Sequence, residues 1–96
     1  MSTQRLYKDI TDDIGKNALF AIMGRLSIRQ RAVLSLRYLE GMGIGQVSYV
    51  LDMGYIRVIR HILNARIKLK LAMIISGYHD IPLKRFITAF GILTSI

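Results

Sequence analysis

Large aliphatic side chains return along this chain at three- and four-residue intervals, and glycines punctuate them. Leu6, Ile10, Ile14, Leu19 and Ile22 stand at spacings of three to five residues, which places them on one face of an amphipathic helix. Gly15 weakens that pattern and Gly24 is placed to end it. Ser27 then precedes Gln30 by three residues, the arrangement of a capping box in which each residue satisfies the other's backbone N–H. The helix it opens is expected to run to about Glu40, with Val33, Leu34, Leu36 and Tyr38 making its apolar contacts, until Gly41 and Gly43 break it. A short helix from about Ile44 to Leu51 should turn Val47, Val50 and Leu51 inward, although Gly45 within it costs ~1 kcal/mol relative to alanine. Asp52-Met53-Gly54 is the next turn, and from Tyr55 to about Ser76 no breaker occurs, so one long helix is expected. Gly77 ends it. After "YHDIP", with Pro82 in the first turn, a last helix over about Leu83 to Thr94 carries Leu83, Phe86, Ile87, Phe90 and Leu93 as one apolar stripe. The pattern predicts an all-α fold: a single domain of about five helices around a central helix–turn–helix.

Three faces can be read on the long helix at about 100° per residue. Val58, Ile62, Ala65, Leu69, Ala72 and Ser76 form the expected core face, while Arg57, Arg60, His61, Asn64 and Lys68 share a polar one. Ile56, Ile59, Leu63, Ile67 and Ile74 make a third stripe, too apolar to be left wet in a soluble monomer without a partner. The short "GYHDIP" connection favours an antiparallel return that lays the last helix over this stripe. The alternatives are the surface of a partner protein or a two-fold contact giving a homodimer, with Ile56, Ile59, Leu63, Ile67, Ile74, Phe86 and Phe90 as the partner or dimer interface.

Composition narrows the function. The chain has 96 residues, is 52% hydrophobic, and contains one proline and no cysteine or tryptophan. Without cysteine there is no disulfide framework and no thiolate metal site, which fits a reducing cytoplasm. The polar start "MSTQRLYKDITDD" has no signal-peptide pattern, and no apolar run reaches the ~18 residues of a membrane span. A soluble, cytoplasmic protein is expected. His61 and His79 lack acidic companions at ligand spacing, so no metal and no cofactor is expected. There is no nucleophile–base constellation and no glycine-rich phosphate loop after a strand, which argues against an enzyme. The methionines, among them Met23, Met42 and Met73, read as core filler.

Charge points elsewhere. The formal net charge is +8, and all of it lies between Arg25 and Arg85, where eleven Lys/Arg face only Glu40, Asp52 and Asp80. A field of that sign draws polyanions: nucleic acid, an anionic membrane surface or an acidic protein.

The central segment, "LSIRQRAVLSLRYLEGMGIGQVSYVLDMGYIRVIRHILNARIKLK" over residues 26–70, resembles region four of bacterial RNA polymerase sigma factors. Leu26 to Gly41 follow the family's Leu-Pro-x-Arg-Gln-Arg-x-Val-Leu-x-Leu-Arg-Tyr-x-Glu-Gly pattern without a gap, with Ser27 where proline is usual. Val58, Ile62, Ala65, Arg66, Lys68 and Leu69 match its recognition helix in the same register. LuxR-type regulators share a similar helix–turn–helix but usually lack the Leu-Arg-Tyr-x-Glu-Gly segment. Departures fall on the nucleic-acid side: Gly45-Gln46 replaces an often acidic pair, Gly54 the usual Ser or Thr, Arg57 the common Thr, and Ile59 the common Lys or Arg. Nothing resembles region two, so the likeness is to one module of a sigma factor. It implies a DNA-binding transcription regulator that reads the upstream promoter hexamer of double-stranded DNA and docks on the flap of the polymerase β subunit. A polymerase surface is then the partner that could cover the third stripe. In that reading Arg57, Arg60, His61 and Asn64, with Tyr55 beside them, contact bases, while Gln46, Arg37 and Lys68 hold phosphates. A sigma-like interaction module that has lost DNA reading is the second expectation, and a basic amphipathic binder of anionic membranes the third.

Overall fold

A computed structural model describes residues 15–95, with side chains through Gly91. The α-helices among the described residues are α1 (Lys16–Met23), α2 (Ile28–Leu34), α3 (Ile44–Leu51), α4 (Tyr55–Ile75) and α5 (Leu83–Ser95). The fold is all-α. Helix α1 starts after Gly15, whose φ of 77° is left-handed. The helix expected to pass through Gly15 therefore begins beyond it, and Leu6, Ile10 and Ile14 lie outside the described residues. Gly24 caps α1, and Leu19, Ile22 and Met23 are its buried face.

The capping box forms at the start of α2: the Gln30 N–H donates to Ser27 Oγ at 3.1 Å, and the Ser27 N–H donates to Gln30 Oε1 at 3.0 Å. Gln30 is itself buried. Arg31 ties α2 back to α1, its Nη1 donating to the carbonyls of Leu26 at 2.8 Å and Met23 at 3.3 Å. The helix reaches its expected length, but its last turn, Ser35–Leu39, is π-helical. The Glu40 N–H bonds the Ser35 carbonyl, and Met42 reaches back to Leu36. Gly41, at φ 69°, turns the chain out of the helix. Leu39, on this wider turn, rests against Gly91 of α5, where a Cβ would collide with it.

Helix α3 is closed at its start by Gln46, whose Oε1 accepts the Gly43 N–H at 3.0 Å. Its far end is capped by two backbone bonds, from Asp52 to the Tyr49 carbonyl at 3.3 Å and from Met53 to the Ser48 carbonyl at 3.0 Å. Asp52 adopts the left-handed conformation at φ 49° that such a cap demands, and the Ser48 hydroxyl donates to the Met53 carbonyl. Val50 does not face inward as expected. It is 52% exposed, because this two-turn helix presses only its Val47 side fully against the core, with Ile44 and Leu51 at the edges. Helix α4 ends in the same kind of cap, with Tyr78 bonding Met73 at 2.7 Å, Gly77 bonding Ile74 at 3.1 Å and Gly77 at φ 85°. Ser76 is exposed at this cap rather than part of the core stripe.

The core has two parts. Val33, Val47, Val58 and Ile62 lock α2, α3 and the first half of α4 together. Leu19, Met23, Leu34, Leu69, Met73, Phe86 and Ile87 join α1, α2, the second half of α4 and α5. Edge-to-face pairs reinforce the larger part: Phe20 with Phe90 at 5.4 Å and Tyr78 with Phe86 at 5.6 Å. This packing corrects two expectations. Helix α5 does not cover the third stripe of α4; the reversal at Gly77 sends it over the core side, where its apolar stripe meets α1 and the π-helical turn. Phe86 is therefore fully buried within the molecule rather than left at the surface for a partner, and Phe90 is half-buried against Phe20. The side chain of Leu93 lies outside the described residues. Ile56, Leu63, Ile67 and Ile74 remain 66%, 52%, 59% and 50% exposed, with Ile59 half-buried.

Candidate nucleic-acid interface

Helices α2, α3 and α4 form the helix–turn–helix unit, and the small valine-rich cluster fixes how far α4 projects from it. Gly54 precedes α4 without a side-chain hydrogen bond to the first turn. The N–H groups of that turn therefore have no side-chain acceptor from the N-cap, and the positive end of the helix dipole lies there. The helix carries Arg57, Arg60, Arg66, Lys68 and Lys70 and no acidic residue, and all five cations are exposed.

These cations are sorted by the helical period. Relative to the buried Val58, Arg60 points within about 20° of directly outward. It stands at the edge of the outer ridge of Ile56, Leu63, Ile67 and Ile74, about 40° from Asn64 and 60° from Arg57. Arg57, Asn64 and Lys68 fall on one flank. Arg57 lines a groove of about 360 Å³ with Arg29 of α2, and Asp52 lies in the same groove. Lys68 lines a second groove along this flank with Arg25, from the α1–α2 connection. Arg25 and Arg29 were not among the expected site residues. They stand some thirty to forty positions from their α4 neighbours in the sequence, so only the tertiary fold discloses the pairing. The opposite flank bears Ile59, Arg66 and Lys70, with Arg37 of the π-helical turn across from Arg66.

The remaining expected residues are placed as follows. Tyr55 is exposed at the tip of α4, while His61 is half-buried at the inner edge of the first flank. Gln46 uses its Oε1 in capping α3, which leaves its amide NH₂ as the group able to reach a phosphate. Arg37, an exposed residue, donates one Nη1 bond to the Met42 carbonyl at 3.1 Å. Arg57 and Arg60, one turn apart, stand about 60° from each other around α4: Arg60 leads outward and Arg57 lies beside α2.

Among the described residues no group of His, Cys, Asp and Glu side chains is arranged to hold a metal ion. None of the described helices is long and apolar enough to cross a membrane. His79 and Asp80 form an exposed pair at 3.3 Å in the α4–α5 connection, away from the helix–turn–helix. No protein-family model, curated protein or solved structure gives a significant match to the chain.

Proposed function

We propose that this chain is a DNA-binding transcription regulator built like region four of a sigma factor, with the exposed N-terminal half of α4 entering the major groove of promoter-type DNA. The observation that carries this reading is the charge pattern of α4: five exposed cations, no acid, and further arginines brought to both flanks by α2 and the π-helical turn. Arg60 leads the helix outward and takes the base-reading role, bidentate to guanine O6 and N7. Ile56 and Leu63, on the same ridge, suit the methyl groups of neighbouring thymines. Tyr55 and Asn64 border this contact. Arg57, Arg29, Arg25 and Lys68 follow the phosphates on one side, and Arg37 and Gln46 on the other. Contact with RNA polymerase, and with it a cytoplasmic location, rests on the resemblance over Leu26 to Gly41. The test is a titration of duplex DNA at two salt concentrations beside a co-purification with core polymerase. Binding that falls steeply with salt supports the reading; no binding to any duplex at low salt refutes it.

A second reading, a sigma-like protein-interaction module, is favoured by one specific observation. The outer ridge of α4 stays apolar and uncovered beyond the reach of a groove: Ile56 to Ile74 spans about 27 Å at 1.5 Å per residue, and only the first turns of a recognition helix meet base edges.

A further inference from the structure

Between α4, the π-helical turn and the start of α3 runs a groove of about 220 Å³. Its floor is Tyr38, Ile44, Ile59, Ile62 and Leu63, and Arg37 and Arg66 stand at its sides. The floor continues along α4 onto Ile67 and Ile74, with Lys70 beside them at helical spacing. Aliphatic residues at this spacing, bordered by cations and concave at one end, form the receiving half of a helix-in-groove contact. We infer that this groove docks an amphipathic acidic helix of a protein partner. The partner's aliphatic stripe lies on Ile59, Leu63 and Ile67, and its carboxylates meet Arg37, Arg66 and Lys70.

Charge decides among the occupants. A second copy of this chain would bring the same arginines and lysine against their own equivalents, and like-charge juxtaposition opposes docking. A phosphate backbone satisfies the cations but leaves the aliphatic floor in contact with polar groups. A lipid surface offers anions and apolar chains, yet it meets the convex ridge and does not fill the concave end beneath Ile44 and Tyr38. A helix with leucine-like knobs and flanking carboxylates satisfies floor and sides together. Because a helix is about 10 Å across, one lying along α4 also holds Arg60 out of the major groove. The partner thereby regulates DNA access; this competition, unlike the docking itself, rests on the DNA-binding reading.

The experiment uses the full chain and two designed peptides of about 18 residues, five helical turns. They share one leucine stripe, flanked by glutamates in the first and by lysines in the second. Fluorescence anisotropy is expected to show binding of the glutamate peptide and none of the lysine peptide. Leu63→Ser and Arg66→Ser should each weaken it by about tenfold or more, with the unfolding midpoint nearly unchanged for the exposed Arg66 and lowered only slightly for the half-exposed Leu63. The inference is overturned if the glutamate peptide does not bind, if the two peptides bind alike, or if neither substitution matters. It is also overturned if Leu63→Ser abolishes self-association of the chain, or abolishes attachment to phosphatidylserine vesicles, while the peptide is ignored. Displacement of the peptide by duplex DNA supports the regulatory role. Peptide binding in a protein that binds no duplex upholds the docking and refutes the DNA reading alone.

Discussion

Replacing Phe86 by alanine probes the packing of α5 directly. Phe86 is fully buried, sits edge-to-face with Tyr78 at 5.6 Å, and belongs to the same cluster as Leu19, Leu69 and Met73. Deleting a buried phenyl ring costs ~3–5 kcal/mol, combining lost transfer free energy with the cavity left behind. A chain of this length has a total stability of roughly 5–14 kcal/mol, so the change removes a large fraction of it. With a urea m-value of about 1–3 kcal/mol per molar, the midpoint should fall by about 2 M at constant m. The matching control is Ile67→Ala on the outer ridge, where 59% exposure limits the loss to about 0.5 kcal/mol. Equilibrium urea unfolding followed by far-UV circular dichroism measures both. Truncation after Gly77 should destabilise the chain still more, because it uncovers Leu19, Leu69 and Met73 together. Equal costs for the two substitutions, or a larger one at Ile67, would mean that α5 lies over the ridge and that the packing described above is wrong.

Asp52→Gly should stabilise the chain by ~0.5–1 kcal/mol, since it relieves the left-handed φ. It should also tighten duplex binding by removing the carboxylate from the Arg29–Arg57 groove, and thermal unfolding with a parallel titration tests both effects. Ser27→Ala should cost about 1 kcal/mol through loss of the α2 cap, read from the urea midpoint. Arg29→Ala and Lys68→Ala should weaken all duplexes alike and each lower the salt slope by about one. Arg60→Ala should instead cost ~1–3 kcal/mol at a preferred site and relax its sequence preference, as measured by competition among duplex variants.

The helix boundaries were largely legible because local signals set them. Ser27 and Gln30 announce a cap in side-chain chemistry, Gly54 and Gly77 bound a breaker-free run, and Ile44 to Leu51 lies between a glycine break and an Asp-Met-Gly turn. The π-helical turn was not legible: Ser35 to Leu39 has ordinary helical composition, and the wider register shows only in the hydrogen bonds and the contact of Leu39 with Gly91. The covering of the third stripe was misread for a related reason. Periodicity identifies an apolar stripe but does not say which of two stripes it meets, and the Gly77 reversal directs α5 to the core side. In the site, the helical period sets Arg57, Asn64 and Lys68 on one flank of α4, with Arg60 at the border between that flank and the outer ridge. The partners of that flank, Arg25 and Arg29, come from α2 and the connection before it, and no spacing within α4 reveals them.

The central claim is that the exposed face of α4 and its basic flanks bind duplex DNA. It is tested most directly by the salt dependence of duplex binding in the wild-type chain and in an Arg57→Ala/Lys68→Ala double variant. If the cations of α2, the connection before it, the π-helical turn and α4 meet about five phosphates, log Kobs should fall against log salt with a slope of about −4.5, and the double variant should flatten it by about two. A chain that binds no duplex at the lowest salt, or a double variant with an unchanged slope, would contradict the account.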